Sequence, residues 1–589
     1  MRKNRLAAFG IAALMTAAVA ACGASSTETK GAKAEGTTEA RTFAAEEKRA
    51  MPAAEAEQNA GETEESKAEE AAAEELKEID AAAPEDAGVP ETGPARPLHL
   101  ESGNRLHSWH DPAVNGNGYM ALANVMEEAL FLSDDDAKEF PDLEKTLREF
   151  HEARFTRLKK ELVDNMDNNK DVFQGYPDIQ MSVNGQSHVR RADTEVLSFV
   201  SYVDMFYGGV HPDYLYGGYN FDTKTGKEIT LADVISDASA LPELLDPVLS
   251  AENGEKYDLA ADSIREILKE KKPEEYSFTI EPEGVRFWFS PYDLSSFAAG
   301  MFTGEILFKD HPEIFTGKYQ NASPVWARAC PELEPVTFFR DGKLTEVLVT
   351  GNIGEYGAHD SISVSMDGKE LVIPQYGYVL EPHLLCRDGK YWLYLFNMGE
   401  NDFSTLHVLD MNGSSPKETG TVEGISREFR ILKESEWVDY DYEKAHEEES
   451  AEDDHRSVLI TDPDNIRLDE HMELLSTYSA SAVYAMQADG SPANKEAYYE
   501  IYNGDSFRLT LKQDAEFPEV DPDTLADKGT AALPAGTEIG FYRTDGKDTV
   551  WFLLGDGRCI RVKLDDTDWP QPVNGTDADE LFDGMIFAG

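Results

Sequence analysis

The chain has 589 residues, 54 basic and 113 acidic, for a formal net charge of −59. So large an excess of carboxylates excludes nucleic acid as a partner, because binding it rests on neutralising phosphates with Lys and Arg. The same charge steers cationic partners toward the surface. Aromatic residues make up 10% of the chain, enough to build real cores.

Arg2, Lys3 and Arg5 form a positive n-region, followed by an apolar stretch from Leu6 to Ala18 and then Val19-Ala20-Ala21-Cys22. This is the build of a signal peptide at residues 1–22, too short to span a bilayer. Small residues before a cysteine read as a lipobox, with Cys22 the lipidated first residue of the mature chain. An ordinary cleaved signal is the alternative. Two acyl chains anchor stably, so the expected location is the outer face of the cytoplasmic membrane. Residues 23–97 are rich in Ala, Glu, Thr, Gly and Pro with almost no branched or aromatic side chains. Such a segment cannot offset its ordering entropy and reads as a disordered acidic stalk. About 75 flexible residues reach roughly 45–50 Å. The chain beyond the stalk is long enough for two to four domains.

From residue 98 the pattern turns to helix and strand. "DLEKTLREFHEARFTRLKKELVDNM" puts Leu143, Leu147, Phe150, Phe155, Leu158 and Leu162 on one helical stripe. "EVLSFVSYVDMF" is a strand of branched and aromatic residues. It runs into "YGGVHPDYLYGGYNFDTKTGKEITL", broken by Gly208-Gly209 and Gly217-Gly218. Two helices, "ALPELLDPVLS" and "DLAADSIREILKEK", precede three strands, "YSFTIEP", "GVRFWFSPYDL" and "FTGEILF". Residues 98–320 are therefore expected to form an α+β domain with helices on a mainly antiparallel sheet.

The segment from Tyr207 through "NFDTKTGKEITLADVI", with "EGVRFWFSPYDLSSFAAG" at Glu283–Gly300, resembles the extracytoplasmic domain of the RsiV anti-sigma factor family and of PdaC-type peptidoglycan deacetylases. Gly208, Gly209, His211, Asn220, Phe221, Asp222, Thr225, Gly226 and Lys227 match its motif, as do Tyr292, Ala298 and Gly300. Val210, Pro212 and Ser296-Phe297 depart from it, at positions a partner would touch. The resemblance covers about a third of the chain and implies a sensing or binding module. In the anti-sigma branch that module binds lysozyme, a cationic protein. In the deacetylase branch the chemistry belongs to a separate metal-dependent domain, whose Thr-Phe-Asp-Asp-Gly start has no counterpart here.

On this reading Tyr207, His211, Tyr214, Tyr292 and Phe297 line one exposed binding edge, with aromatic rings supplying contact area. Core packing is the competing account of the tyrosines. Gly208, Gly209, Asp222 and Gly226 are expected as structural turn residues: the glycines for positive φ or close approach, Asp222 for an Asx-type cap. His211 has no second ligand at metal spacing. "HSWH" (His107–His110) reads as a loop, and "GNIGEYG" (351–357) precedes a strand rather than a helix, so it fails as a phosphate loop. No catalytic residue, metal or cofactor is expected. Cys330, Cys386 and Cys559 are too few and too scattered for a disulfide framework; a Cys330–Cys386 bridge and isolated buried thiols are both open.

Residues 325–440 read as short strands with DG, NG and MG turns, a sandwich or propeller-like blades. Residues 441–455 read as a solvated acidic linker. Residues 456–589 are β-rich, with an SH3-like barrel in "LPAGTEIGFYRTDGKDTVWFLLGDGRCIRVKL". The functional expectation is a non-catalytic, membrane-anchored binding or sensing lipoprotein for a cationic, lysozyme-like protein or a peptidoglycan-related ligand. The alternative is a cell-wall-modifying enzyme, a deacetylase or a hydrolase accessory; a third reading is a purely structural surface protein.

Overall fold

A computed structural model describes residues 95–109, 123–168, 179–332, 334–354, 357–399, 404–427, 429–431, 448–452, 455–501 and 508–587. The signal peptide, nearly all of the stalk and His110 lie outside them. The first described residues are already packed, with Ala95 and Leu98 buried and Pro97 bridging to Asp193. No helix among the described residues is long and apolar enough to cross a membrane.

The N-terminal unit is built on strands β1 (Leu100–Trp109), β2 (Ala123–Leu132), β3 (Met181–Ala192), β4 (Val196–Phe206) and β5 (Asp213–Asp222), hydrogen-bonded in that order. β2 and β3 pair in parallel, the others antiparallel. A parallel pair needs a crossover, supplied by α1 (Asp134–Glu139) and α2 (Pro141–Asn168). Leu143, Leu147, Phe150, Leu158 and Leu162 are buried under α2, and Phe155 is half-buried beside them. The odd-numbered side chains of β3, β4 and β5, among them Val183, Phe199, Val203, Met205, Leu215 and Phe221, face this helix.

Beneath α2, Glu127 is buried between His151 and Arg154. Its Oε1 accepts from His151 Nδ1 at 3.0 Å and from Arg154 at 2.8 Å, while His151 Nε2 accepts from the Leu130 N–H at 3.0 Å. Those bonds fix a neutral imidazole, and burial lowers the His151 pKa.

Helices α3 (Leu241–Asn253) and α4 (Ala261–Glu270) pack on a three-stranded antiparallel sheet of β6 (Ser277–Ile280), β7 (Gly284–Phe289) and β8 (Phe302–Leu307), with a core including Leu245, Leu249, Phe287 and Ile306. This small sheet covers part of the even-numbered face of β3–β5. Asn220 holds it there, donating to Phe278 O at 2.9 Å and accepting from Ile280 N at 2.9 Å. The α+β organisation read from the sequence is present, and β1, β2 and β3 add to it strands that the sequence pattern does not disclose.

Beyond this unit lie two antiparallel sheets. One holds β9 (Val325–Ala329), β14 (Val379–Arg387), β15 (Lys390–Met398), β16 (Ser404–Asp410) and β17 (Lys417–Glu423); the other holds β10–β13, spanning Val336–Arg340, Lys343–Ile353, His359–Met366 and Lys369–Ile373. Strand alternation explains the stacking. Leu384, Leu393, Leu395 and Leu409 pack toward β10–β13, whereas Leu385, Trp392, Tyr394, Phe396 and Leu406 pack toward a third sheet through Ile466, Leu468, Ala482 and Tyr484. That third, twelve-stranded sheet carries the C-terminal region, whose core includes Phe517, Ile539, Phe541, Phe552 and Phe582.

Two sequence expectations change. The acidic run read as a linker contains a strand: Glu448–Glu452 pairs antiparallel with Trp109–Arg105 and joins the first sheet. Edge pairing satisfies backbone groups whatever the side-chain charge, and composition alone does not disclose it. His107, Ser108 and Trp109 of "HSWH" lie in β1 rather than in a loop. Cys330, Cys386 and Cys559 are buried free thiols; burial pushes the first two up to about 12 and the third up to about 11.

Candidate functional site

Strand alternation sorts the tyrosines of the β4–β5 hairpin. Tyr202 pairs with Tyr216 and Asp204 with Tyr214 across the hairpin, so these four side chains share the even face, opposite α2. Tyr207 and Tyr219 follow the odd face instead. Tyr207 packs against the cluster of Trp109, Val125 and Leu158, and Tyr219 meets Phe150 at 4.7 Å between ring centroids.

The other four proposed edge residues come together. The His211 ring stacks on Phe297 at 4.0 Å, inclined 21°. Tyr214 lies 6.1 Å from Phe297 at 16°, and Tyr292 lies 5.7 Å from it. The stack continues inward from Tyr214 to Tyr202 at 5.9 Å, then to His188 at 6.0 Å and Tyr216 at 5.2 Å. Tyr216 lies parallel to Trp288 at 6.2 Å, and the Arg190 guanidinium sits 5.2 Å from the same indole. The ladder therefore runs from an exposed end at His211, 46% exposed at its side chain, to a buried end at Trp288, 1% exposed. His188, Tyr202 and Trp288 are ladder members that the sequence reading does not single out. Period-two alternation from Tyr214 through Tyr216 to its partner strand is the signal that points to Tyr202.

Local backbone chemistry sets the exposed end. Gly208 has φ +78, which turns the chain out of β4 and leaves Val210 99% exposed. His211 Nδ1 lies 2.9 Å from Pro212 O, and 4.0 Å from an Asp213 oxygen. Tyr292 holds φ +73, an outlying conformation for a bulky residue and one found where a site imposes strain. In the turn after β5, Asp222 Oδ1 accepts from Thr225 N at 3.0 Å and Gly226 has φ +65. Gly209 needs no positive φ.

The carboxylates beside the ladder are weakly solvated. Burial raises the pKa of Asp204, against one bond from Asn184 at 3.5 Å, and burial likewise raises that of Asp213, against the pull of His211. Burial also raises the Tyr202 and Tyr216 phenols, so both rings stay neutral donors. Among the described residues no group of three or more His, Cys, Asp or Glu side chains is placed to hold a metal ion.

The inner end of the ladder meets a buried ionic network. Glu281 accepts from Arg190 Nε at 3.0 Å and from Arg328; Glu334 accepts from Arg190 at 3.3 Å and lies 2.9 Å from His188 Nδ1. Arg190, Glu281, Arg328 and Glu334 are all at most 5% exposed. They tie β3 and the β6–β7 hairpin to β9 and the segment before β10.

No protein-family model and no curated protein matches the chain. Among solved structures it is similar to a DUF3298 family member from Bacteroides fragilis, at 17% identity and a TM-score of 0.29, over 38% of this chain and 94% of that one. It is also similar to a DUF3298 family protein from Pseudomonas aeruginosa, at 18% identity and a TM-score of 0.26, over 38% of this chain and 96% of that one.

Proposed function

We propose that the chain is an extracytoplasmic lipoprotein whose N-terminal unit, RsiV-like in its motifs, binds a cationic protein or a peptidoglycan-related ligand without chemistry of its own. The observation that carries this reading is the convergence of His211, Tyr214, Tyr292 and Phe297 in one partly exposed aromatic stack. Rigid rings with polar tips give large contact area at low entropic cost, and such residues dominate interface energies. The net charge of −59 favours a cationic partner. The SH3-like reading of the C-terminal region belongs to the same proposal, as a second wall-facing module.

Two experiments test it. In the first, the full chain is captured on a surface and titrated with lysozyme and with soluble muropeptides. One of the two is expected to bind, and Phe297→Ala and Tyr214→Ala are each expected to weaken it about tenfold or more with little change in melting temperature. For lysozyme the association rate falls as salt rises. Binding of neither, or binding indifferent to both substitutions, contradicts the assignment. In the second, Cys22→Ala in cells is expected to abolish lipid attachment and leave unprocessed precursor. A mutant that matures normally and still partitions with membranes rules out the anchor.

A further inference from the structure

The C-terminal region carries a second aromatic cleft, far in sequence from the ladder. It encloses about 790 Å³ and is lined by His471, Glu473, Lys547, Asp568, Trp569 and Phe587, among others. Trp569 is 61% exposed and Phe587 40% exposed, both among the exposed large apolar residues described. Their rings meet edge to face at 5.5 Å and 82°, so the pair forms a wall and a floor. Large rings left in solvent cost hydration free energy, and such a patch rimmed by polar groups marks a binding site.

The cleft is held firmly. Gln571 donates to Glu473 O at 2.7 Å and to Thr567 O at 3.0 Å, and accepts from Leu475 N at 2.7 Å. The final segment is tied by Ile586 N donating to Ser476 Oγ at 3.0 Å and Thr477 N donating to Ile586 O at 2.8 Å. The backbone beside each ring is thereby held, which lowers the entropic cost of binding.

The rim selects the ligand class. Glu473 and Asp568 offer acceptors, Lys547 and His471 offer donors, and His471 Nε2 lies 3.6 Å from Glu473. Two carboxylates set against one ammonium leave the lining slightly acidic, on a molecule whose net charge of −59 repels anionic polymers. A ligand matched to a flat apolar platform and a rim of mixed donors and acceptors has apolar C–H faces and hydroxyl edges. We infer that the cleft around Trp569 and Phe587 is a binding site for a neutral hexopyranose oligosaccharide, stacked on the indole. A proline-rich peptide is the competing occupant of an aromatic groove, but four chargeable rim groups around a single Trp–Phe pair suit hydroxyls better than an apolar polyproline ridge.

The test is a calorimetric titration of the full chain with chitotetraose, with cellotetraose and with a proline-rich decapeptide. At least one tetrasaccharide is expected to bind. Trp569→Ala is expected to weaken it about tenfold or more, with the melting temperature nearly unchanged because the side chain is mostly exposed. Asp568→Ala, exposed and at the rim, is expected to weaken the same saccharide without loss of fold. Failure of both saccharides to bind, binding that survives Trp569→Ala, or binding of the peptide alone would overturn the proposal. Because Phe297→Ala leaves this cleft untouched, its effect on lysozyme or muropeptides is read independently.

Discussion

Glu281→Ala is expected to destabilise the protein by about 3–5 kcal/mol, the scale seen when one partner of a buried ion pair is removed. Glu281 accepts from both Arg190 and Arg328, and all three are nearly fully buried. Without the carboxylate two guanidinium groups face each other in a poorly solvated interior. Arg328 also donates to Thr337 O and Arg190 to Glu334, so the damage spreads to the joint between the N-terminal unit and the stacked sheets. Chemical denaturation checks this, with Glu281→Gln expected to be milder because it keeps a hydrogen-bond acceptor.

The same network gives the pH dependence a sign. Burial by itself raises the Glu281 carboxyl, but Arg190 and Arg328 outweigh it and hold it below the ordinary range. Glu334 is likewise held low, by His188 and Arg190 against burial. A depressed folded-state pKa contributes stability that is complete above the unfolded value, about 4.5, and is lost as pH falls through the folded one. Unfolding in acid is therefore expected to set in below about pH 4.5, and Glu281→Gln should flatten that loss. A consequence for dissection is that residues 98–320 alone lack Arg328 and Glu334, leaving Arg190 and Glu281 short of partners.

Gly218→Ala is expected to cost about 3 kcal/mol or more, at the upper end for overpacking. A Cβ at this position would stand 2.0 Å from Phe278 O and 2.4 Å from its carbonyl carbon. Both are backbone atoms of β6, so no side-chain rotation relieves the clash. The small sheet would have to lift from β5, breaking the bond from Gly218 N to Ser277 Oγ at 2.7 Å and loosening those of Asn220. Since Tyr216, two residues before Gly218, stacks on Trp288 of the small sheet, the substitution should also disturb the inner aromatic ladder. Thermal unfolding measures the first effect, near-ultraviolet circular dichroism the second. Gly217, whose added Cβ would meet only the Tyr219 ring at 3.2 Å, should tolerate alanine better.

These two positions show what the sequence discloses and what it conceals. Helix α2 is legible because six apolar residues recur at helical spacing, and β4 because branched and aromatic residues run together. Strand β3 is not, since "SVNGQSHV" carries polar residues on both faces: Gly185 lies against Glu127 and Arg154 on one, and His188 joins the half-open ladder on the other. The strand at Glu448–Glu452 is hidden for the opposite reason, since an acidic run gives no apolar signal while backbone pairing needs none. At the site, four of the five chosen aromatics converge because the motif spacing brings two distant turns to one corner. Tyr207 does not, because its place in the alternation sends it under α2. The doubled glycine at Gly217-Gly218 is visible, but the closeness of β6 that requires it is a tertiary fact.

The most direct measurement is hydrogen–deuterium exchange of the full chain, alone and saturated with lysozyme or with muropeptides, whichever binds. The account predicts slowed exchange concentrated in residues 207–216 and 290–299, where His211, Tyr214, Tyr292 and Phe297 meet, with no comparable change in the helices α3 and α4 behind the small sheet. A bound ligand that protects other segments and leaves these two unchanged would contradict it.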